Sequence, residues 1–126
     1  MSKAKILIIE DEVEIANMLA RILVKHGYET AIAHDGIEGL GKVKSFGPAL
    51  VLLDVNMPRL DGLQLLELLK ASPETSHIPV VMCTARARID DVEEAFGIGA
   101  DGYIAKPFAI ERLVSKIKDV LDTPKI

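Results

Sequence analysis

Short apolar runs alternate along this chain with segments in which apolar residues recur every three or four positions. The runs at 5–10, 50–53, 80–83 and 103–105 lack a strict polar and apolar alternation, and a weaker run occupies 28–33. Such runs are typical of strands that are covered on both faces, whereas steps of three and four predict amphipathic helices. Five alternations of strand and helix predict an α/β fold of three layers: a doubly wound parallel sheet with right-handed crossovers and helices on both faces.

Residues at the predicted helix ends support this division. Asp35, with Glu38 three residues later, resembles a capping box at the start of a helix. Gly27, Gly47 and Gly97 are predicted to end helices, because glycine accepts the left-handed backbone conformation that follows many helices.

The length of the chain predicts a single domain. With 126 residues, of which 49% are hydrophobic, the chain can build about one core, so residues 1–126 are predicted to form one unit. Residues 123–126 are predicted to be a flexible tail or the start of a linker. Cys83 lies in an apolar run and is predicted to fill the core.

Charge and hydropathy exclude several classes of function. A net charge of -4 argues against binding of nucleic acid or of an anionic membrane through bulk charge. No apolar stretch approaches the roughly 20 residues that a membrane span needs, and the first apolar run meets acids at once, unlike a signal sequence. We therefore expect a cytoplasmic location.

Polar or charged groups directly follow four of the predicted strands. Open parallel sheets bind ligands beyond the carboxyl ends of their strands, at a switch in strand order, and these groups all lie on that edge. They are predicted to form one site: Glu10, Asp11, Asp54, Thr84 and Lys106. Asp54 is expected at the rim of the sheet, because its strand breaks into a loop that contains Pro58 and Gly62.

The residue types in this cluster predict a metal ion and a phosphoryl group. Glu10, Asp11 and Asp54 would repel one another and raise at least one pKa unless a cation neutralised them. Oxygen ligands without His or Cys select a hard ion, and Mg2+ uses one or two carboxylates together with water and phosphate oxygens. Lys106 and the Thr84 hydroxyl add groups that bind an anion. Asp54, ionised at neutral pH, would be the nucleophile and become an acyl phosphate.

Four segments of the sequence resemble those of a known family. They match its acidic pair, phosphoacceptor segment, hydroxyl position and lysine segment: Glu10-Asp11, Asp54–Pro58 with Asp61-Gly62, Thr84-Ala85 and Gly99–Phe108. The chain thus resembles, over essentially its whole length, a response-regulator receiver domain of two-component signalling. The resemblance implies a flavodoxin-like (βα)5 fold with the strand order 2-1-3-4-5.

The resemblance also implies a chemistry and a cofactor. A histidine kinase phosphohistidine would transfer its phosphoryl group to Asp54, with Thr84 and Lys106 assisting, which makes the chain a signalling domain and not an enzyme. Mg2+, with Mn2+ as a substitute, would be held by Asp11, Asp54 and the backbone carbonyl of Asn56. Glu10 would act through water.

A conformational switch is implied in the same way. On phosphorylation the Thr84 hydroxyl would turn toward the phosphoryl oxygens, and the Tyr103 ring would move into the vacated space. The shift would alter the face of the fourth helix, fifth strand and fifth helix, to which partners bind. Asn56 and Arg86 would set the phosphoryl lifetime, since both border the path of attacking water; a solvated surface role for Arg86 stays open.

The implied partners are proteins. A sensor histidine kinase or a histidine phosphotransfer protein would supply the phosphoryl group, and a downstream protein or a missing output domain would respond to the switch. A phosphorylation-dependent dimer is a further expectation, whereas no direct binding to nucleic acid or membrane is expected. The chain is either a single-domain regulator or an excised receiver.

Two other functions use similar features. A phosphatase of the haloacid dehalogenase type also forms an aspartyl phosphate, but it places a second Asp two residues after the nucleophile, where this chain has Asn56. A pseudo-receiver keeps the fold as a protein-binding module without being phosphorylated, and the intact set of five site residues argues against it. Asp61 is predicted to be only a turn former or helix cap.

One segment imitates a nucleotide-binding motif. Gly36–Lys42 fits the spacing G-x-x-x-x-G-K of a phosphate-binding loop. Val43 follows where such loops carry a Ser or Thr whose hydroxyl binds Mg2+, and Ile37, Leu40 and Val43 predict a helix face through the supposed loop. An ATP site is therefore not expected here.

Overall fold

A computed structural model describes residues 3–57, 60–85 and 88–123. Five strands and five helices alternate along the chain, as the sequence predicts. They are β1 (Lys5–Ile9), α1 (Val13–Lys25), β2 (Glu29–Ala33), α2 (Gly36–Phe46), β3 (Leu50–Leu53), α3 (Gly62–Ala71), β4 (Val80–Thr84), α4 (Ile89–Ile98), β5 (Gly102–Ala105) and α5 (Ile110–Asp122).

The strands form one parallel sheet in the order β2-β1-β3-β4-β5, which confirms the predicted fold class and strand order. The order reverses between β1 and β3, so a crevice opens beyond the carboxyl ends of these two strands. In the register, Ile9 at the end of β1 lies opposite Leu53 of β3 and Ala33 of β2. Thr84 at the end of β4 lies opposite Ala105 of β5. Leu53 lies opposite Met82, so β4 and β5 extend two residues beyond the ends of β1, β2 and β3.

The sheet divides the core into two hydrophobic clusters. Alternate side chains of each strand point to opposite faces, so that Leu7 and Ile9 of β1 join one cluster and Ile6 and Ile8 join the other. The first cluster packs under α2, α3 and α4 and includes Val43, Val51, Leu53, Leu65, Leu66, Leu69, Met82 and Ala95. The second packs under α1 and α5 and includes Ala16, Leu19, Leu23, Leu52, Val81, Cys83, Leu113 and Ile117. Burial of each large aliphatic side chain contributes roughly 1.5 to 3 kcal/mol.

Two aspartates cap helices as the sequence predicts. The Asp35 side chain accepts from the Glu38 N–H at 2.8 Å at the start of α2. The Glu38 side chain accepts in return from the His34 N–H. A complete capping box would use the N–H of Asp35, one residue later. Asp61 and Gln64 form a complete capping box at the start of α3, so the cap role predicted for Asp61 is confirmed.

Three of the helices are followed by a glycine. Two of these glycines occupy positions that the sequence predicted. Gly47 closes α2 with φ of 65°, and Gly27 follows α1 with φ of 92°. The prediction for Gly97 is wrong, because this residue lies inside α4, and Gly99, with φ of 131°, is the residue that follows this helix. The helix continues because Ile98 packs against the first hydrophobic cluster, which extends the apolar face by one residue.

The imitation of a phosphate-binding loop is part of a helix. Gly36–Lys42 lies wholly within α2, which confirms that no nucleotide loop forms there. Within residues 3–57, 60–85 and 88–123, no helix has the length and apolar character needed to cross a membrane. The assignment of residues 1–126 to a single domain stays a prediction.

Candidate functional site

Backbone hydrogen bonds extend the sheet by one residue beyond its last strand positions and fix the residues that carry the predicted site. The Glu10 N–H donates to the Ala33 carbonyl at 3.0 Å, and the Asp54 N–H donates to the Ile9 carbonyl at 3.1 Å. The Lys106 N–H donates to the Thr84 carbonyl at 2.9 Å. These bonds align the backbone of the residues that carry the site at one edge of the sheet.

The three predicted acids converge at this edge. One carboxylate oxygen from each of Glu10, Asp11 and Asp54 lies within 4.8 Å of the others. Glu10 and Asp54 are buried, with 1% and 6% of their surfaces exposed, while Asp11 is more open to solvent. The arrangement is an acidic pocket of oxygen donors with one open side.

Lys106 reaches into the same pocket. Its Nζ donates to Glu10 Oε1 at 2.5 Å and lies 3.5 Å from Asp54 Oδ2. Burial by itself lowers the pKa of Lys106, but the hydrogen bond that Lys106 donates to Glu10 and the charges of Asp54 and Glu10 outweigh it, so the pKa lies above its ordinary value. The ammonium is therefore charged at neutral pH.

Negative charge exceeds what Lys106 balances. Burial raises the pKa of Glu10 from 4.5 to about 7, the hydrogen bond from Lys106 offsets part of this rise, and the charge of Asp54 adds to it. Among the residues that the structure describes, Lys106 is the cation that contacts these acids. The pocket consequently favours a second cation.

Backbone amides orient the two buried acids. The Glu12 N–H donates to Glu10 Oε2 at 3.2 Å, and the Asn56 N–H donates to Asp54 Oδ1 at 3.2 Å. The second contact brings the backbone of Asn56 to the edge of the pocket, while its side chain is exposed. The structure thus places Asn56 beside Asp54, as its predicted roles require.

The two residues predicted to switch lie on neighbouring strands. Thr84 is fully buried at the end of β4. Tyr103 of β5 is half-buried and packs against the first hydrophobic cluster. Arg86, predicted to affect the phosphoryl lifetime, lies outside the described residues.

One neighbour of the site was not predicted from the sequence. His34 Nδ1 lies 3.2 Å from the Glu10 carbonyl oxygen, across 24 positions of sequence. His34 directly follows β2, just as Glu10, Asp54 and Lys106 directly follow their strands, so the same rule would have found it. Because the apolar run of β2 is weak, the position of His34 at the end of a strand was less evident from the sequence.

Cys83 of β4 is a core residue with a weakly acidic thiol. It is buried in the second cluster, as predicted, and burial raises the pKa of its thiol to about 12. The thiolate, which is the reactive form, is thus disfavoured.

A family model matches most of this chain. The model for the response regulator receiver domain matches residues 6–118. The chain belongs to this receiver family.

Curated relatives of this receiver domain are response regulators. It is 44% identical over 121 residues to YkoG of Bacillus subtilis, an uncharacterized transcriptional regulatory protein; the matched region is 96% of this chain and 52% of YkoG. It is 36% identical over 121 residues to the response regulator MprA of Mycobacterium avium, and the matched region is again 96% of this chain and 52% of the relative. The chain spans about half the length of these curated relatives.

Solved structures of other receivers have the same fold. A putative response regulator from Chloroflexus aurantiacus superposes with a TM-score of 0.92 at 33% identity, covering 97% of this chain and all (100%) of that chain. A CheY-like receiver domain from Methanospirillum hungatei gives a TM-score of 0.88 at 36% identity, covering 96% and 95%. The chemotaxis protein CheY4 of Vibrio cholerae gives 0.89 at 29% identity, covering 94% and 99%.

Proposed function

We propose that this receiver domain accepts a phosphoryl group on Asp54 from the phosphohistidine of a sensor histidine kinase or of a histidine phosphotransfer protein. The observation that carries the proposal is the pocket at the carboxyl edge of the sheet, where Glu10, Asp11 and Asp54 meet Lys106. Membership of the receiver family supports the same chemistry.

The donor atoms of the pocket fit Mg2+, with Mn2+ as a substitute. All three side chains offer carboxylate oxygens within 4.8 Å of one another, and such hard donors suit hard divalent cations. The raised pKa of Glu10 indicates excess negative charge that a cation would relieve. Asp11, Asp54 and the Asn56 backbone carbonyl would hold the ion, with Glu10 acting through water. When bound, the ion would offset the charge on the phosphoryl oxygens.

Asp54 is the proposed nucleophile. Its carboxylate, held by the Asn56 N–H, lies at the rim of the pocket and needs no general base when ionised. An Asp54 oxygen would form a bond to phosphorus while the phosphorus–nitrogen bond of the phosphohistidine breaks and the electron pair returns to the imidazole. The product is an aspartyl phosphate.

Lys106 and Thr84 are the proposed partners of the transferred group. The Lys106 ammonium lies 3.5 Å from Asp54 and is fixed by Glu10, so it is positioned to bind a phosphoryl oxygen beside the nucleophile. A fixed charge of this kind stabilises the developing negative charge without reorganisation. The Thr84 hydroxyl is proposed to turn toward the same group.

Intact-mass spectrometry after incubation with acetyl phosphate and MgCl2 tests this function. We expect the wild-type protein to gain the mass of one phosphoryl group and Asp54→Asn to gain none. Asp61→Asn is the matched control, because Asp61 caps α3 outside the acidic pocket and asparagine is also a good cap. No gain by the wild type, or a gain that survives Asp54→Asn, would contradict the proposal. The first result is the one a pseudo-receiver would give, and turnover of a free phosphomonoester would favour a phosphatase.

We propose that phosphorylation moves Thr84 and Tyr103 and alters the face of α4, β5 and α5. Ile89 and Phe96 on α4 are 70% and 47% exposed, which supports a role of this helix in binding proteins. The ring resonances of Tyr103 should shift on phosphorylation. Those of Tyr28, which packs against the second cluster, provide the internal control. Equal shifts, or none, would contradict the switch.

The proposed output is a downstream protein, a phosphorylation-dependent dimer or an output domain outside this sequence. The length and names of the curated relatives, which are response regulators, support an output domain. Sedimentation before and after phosphorylation tests the dimer, and an unchanged sedimentation coefficient would exclude it.

Asn56 and Arg86 are proposed to set the lifetime of the phosphoryl group. The decay of the added mass in Asn56→Ala and Arg86→Ala measures this lifetime.

A further inference from the structure

The glycines of α2 have no role in the site as described so far. Gly36 and Gly39 are buried, whereas Gly41 is exposed in the same helix. A Cβ added at Gly41 would meet no atom within 4 Å. The first two glycines therefore allow a close approach of α2 to other segments, and the third does not.

Gly36 touches the loop that follows Asp54. A Cβ added at Gly36 would lie 2.5 Å from the backbone oxygen of Leu60 and 2.9 Å from the Leu60 Cβ. Because a backbone oxygen cannot turn away by a change of rotamer, any larger residue at Gly36 must displace the loop. Leu60 directly precedes Asp61, which caps α3, so Leu60 lies between the first turns of two helices.

The same turn touches the other segment that carries acids. His34 Nδ1 lies 3.2 Å from the Glu10 carbonyl oxygen, and the Glu10 N–H donates to the Ala33 carbonyl at 3.0 Å. The His34 N–H donates to Glu38 Oε1 at 2.6 Å, which ties the turn to α2. Residues 34–36, here called the β2–α2 turn, thus contact both the segment of Glu10 and the loop after Asp54.

We infer that the β2–α2 turn is a positioning element for the acidic pocket. Gly36 sets the position of the loop after Asp54, and His34 sets that of the backbone at Glu10, so the turn fixes the separation of the acids on these two segments. The inference rests on the proposed function, since it concerns the geometry in which the acids bind Mg2+ and accept a phosphoryl group. Mutation of neighbours that orient metal ligands typically lowers metal affinity by roughly 10- to 100-fold.

Gly36→Ala tests the inference, with Gly41→Ala as the matched control on the same helix. We expect Gly36→Ala to weaken MgCl2 binding, measured by calorimetry, and to slow phosphorylation by acetyl phosphate, each by about tenfold. Gly41→Ala should stay within about twofold of the wild type in both measurements, because its methyl group points into solvent. Thr75→Val, which removes a buried hydrogen bond to the Leu69 carbonyl far from the pocket, is the control for lost stability.

A packing role alone predicts a different result. Gly36→Ala would then lower the free energy of unfolding, as Thr75→Val does, and leave MgCl2 affinity and phosphorylation rate unchanged; that result would overturn the inference.

His34→Ala gives an independent test if Gly36→Ala does not fold, because His34 is exposed. We expect it to weaken MgCl2 binding by about threefold, with His77→Ala in the α3–β4 loop unchanged. Wild-type affinity in His34→Ala would then overturn the inference.

The failure of this inference and that of the proposed function are distinguishable. If the wild type neither binds MgCl2 nor gains phosphoryl mass, the proposed function fails, and the inference fails with it. If the wild type does both and the Gly36 and His34 variants match it, only the role of the β2–α2 turn is wrong. Amide resonances of Glu10 and Asp54 in metal-free protein give a third measurement, and they should shift in Gly36→Ala and not in Gly41→Ala.

Discussion

The two ends of the sheet each hold a lysine beside carboxylates, and they differ in charge balance. At the end where strands begin, Lys70 Nζ lies 3.2 Å from Asp101 Oδ2 and donates to the Ile78 carbonyl at 2.8 Å. Asp101 also accepts from the Val80 N–H at 2.8 Å. Among the contacts within residues 3–57, 60–85 and 88–123, one ammonium meets one carboxylate here, and backbone groups bind both.

At the end where the strands finish, Lys106 contacts Glu10 and Asp54 together, and Asp11 belongs to the same cluster. Burial raises the pKa of Glu10 to about 7, which reflects the cost of keeping this carboxylate ionised. A balanced pair holds the fold without a ligand, whereas a cluster with excess negative charge is stabilised when a cation binds. Similar residue types thus support the fold at one end and are proposed to carry the chemistry at the other.

Replacing each lysine by methionine should give the largest contrast between the ends. Lys106→Met removes the charge beside Asp54, the proposed nucleophile, and we expect phosphorylation by acetyl phosphate to slow about 100-fold. Lys70→Met leaves Asp101 without this partner, and we expect the free energy of unfolding to fall by about 2 to 3 kcal/mol with an unchanged phosphorylation rate. Intact-mass kinetics and urea unfolding measure both quantities. Equal losses of rate in the two variants would remove the distinction between the ends.

A pair of glycines extends the comparison to the backbone. A Cβ added at Gly62 would overlap the Asp54 carbonyl and lie 2.7 Å from Val55 Cα, so Gly62→Ala should lower the free energy of unfolding by about 2 to 3 kcal/mol. At the other end, a Cβ at Gly102 would lie 3.2 Å from the flexible Lys116 side chain. Gly102→Ala should therefore cost less than about 1 kcal/mol in urea unfolding. Equal costs would show that backbone crowding is not specific to the acidic end.

The raised pKa of Glu10 predicts a pH dependence at the acidic end. Because its folded pKa of about 7 lies above the ordinary 4.5, folding favours the protonated form, and the metal-free protein loses stability as pH rises from about 4.5 through 7. Glu10→Gln removes this cost, so in EDTA we expect it to exceed the wild type by about 1 to 3 kcal/mol at pH 8 and to match it near pH 4.5. Glu67→Gln, an exposed carboxylate on α3, is the control. A stability difference independent of pH would contradict the assignment to Glu10.

Binding of Mg2+ should give the smallest effect. At ten times its dissociation constant, MgCl2 should raise the free energy of unfolding by about 1.4 kcal/mol, because it binds the folded state. The stabilisation should disappear in Asp11→Asn and persist in Asp101→Asn, whose carboxylate lies at the other end. Unfolding is measured in NaCl of equal ionic strength as the reference. Equal stabilisation of the two variants would place the metal outside the acidic pocket.

The sequence predicted the fold and the convergence of the acids for one physical reason. In a parallel sheet the carboxyl ends of all strands share one edge, so the order of elements along the chain was enough to bring Glu10, Asp11, Asp54 and Lys106 together. The structure confirms this convergence. The roles of these residues in binding metal and phosphoryl groups stay predictions.

Other features depend on contacts that no local pattern reveals. The approach of Gly36 to Leu60 and the contact of His34 with Glu10 exist only once α2 is packed on the sheet. Likewise, Gly97 and Gly99 are equivalent in sequence as helix stops, and the packing of Ile98 decides between them. Local residue types thus predict elements and strand ends, while the seating of one element on another requires coordinates.

The placement of the sheet between two hydrophobic clusters has a consequence for divergence within the family. Each strand contributes alternate side chains to the two clusters, so a change of volume beneath α1 or α5 meets different neighbours from a change beneath α2, α3 or α4. We therefore expect a substitution beneath one helical layer to leave the packing of the other layer unchanged, so that either outer surface can be altered while the acids at the strand ends keep their positions.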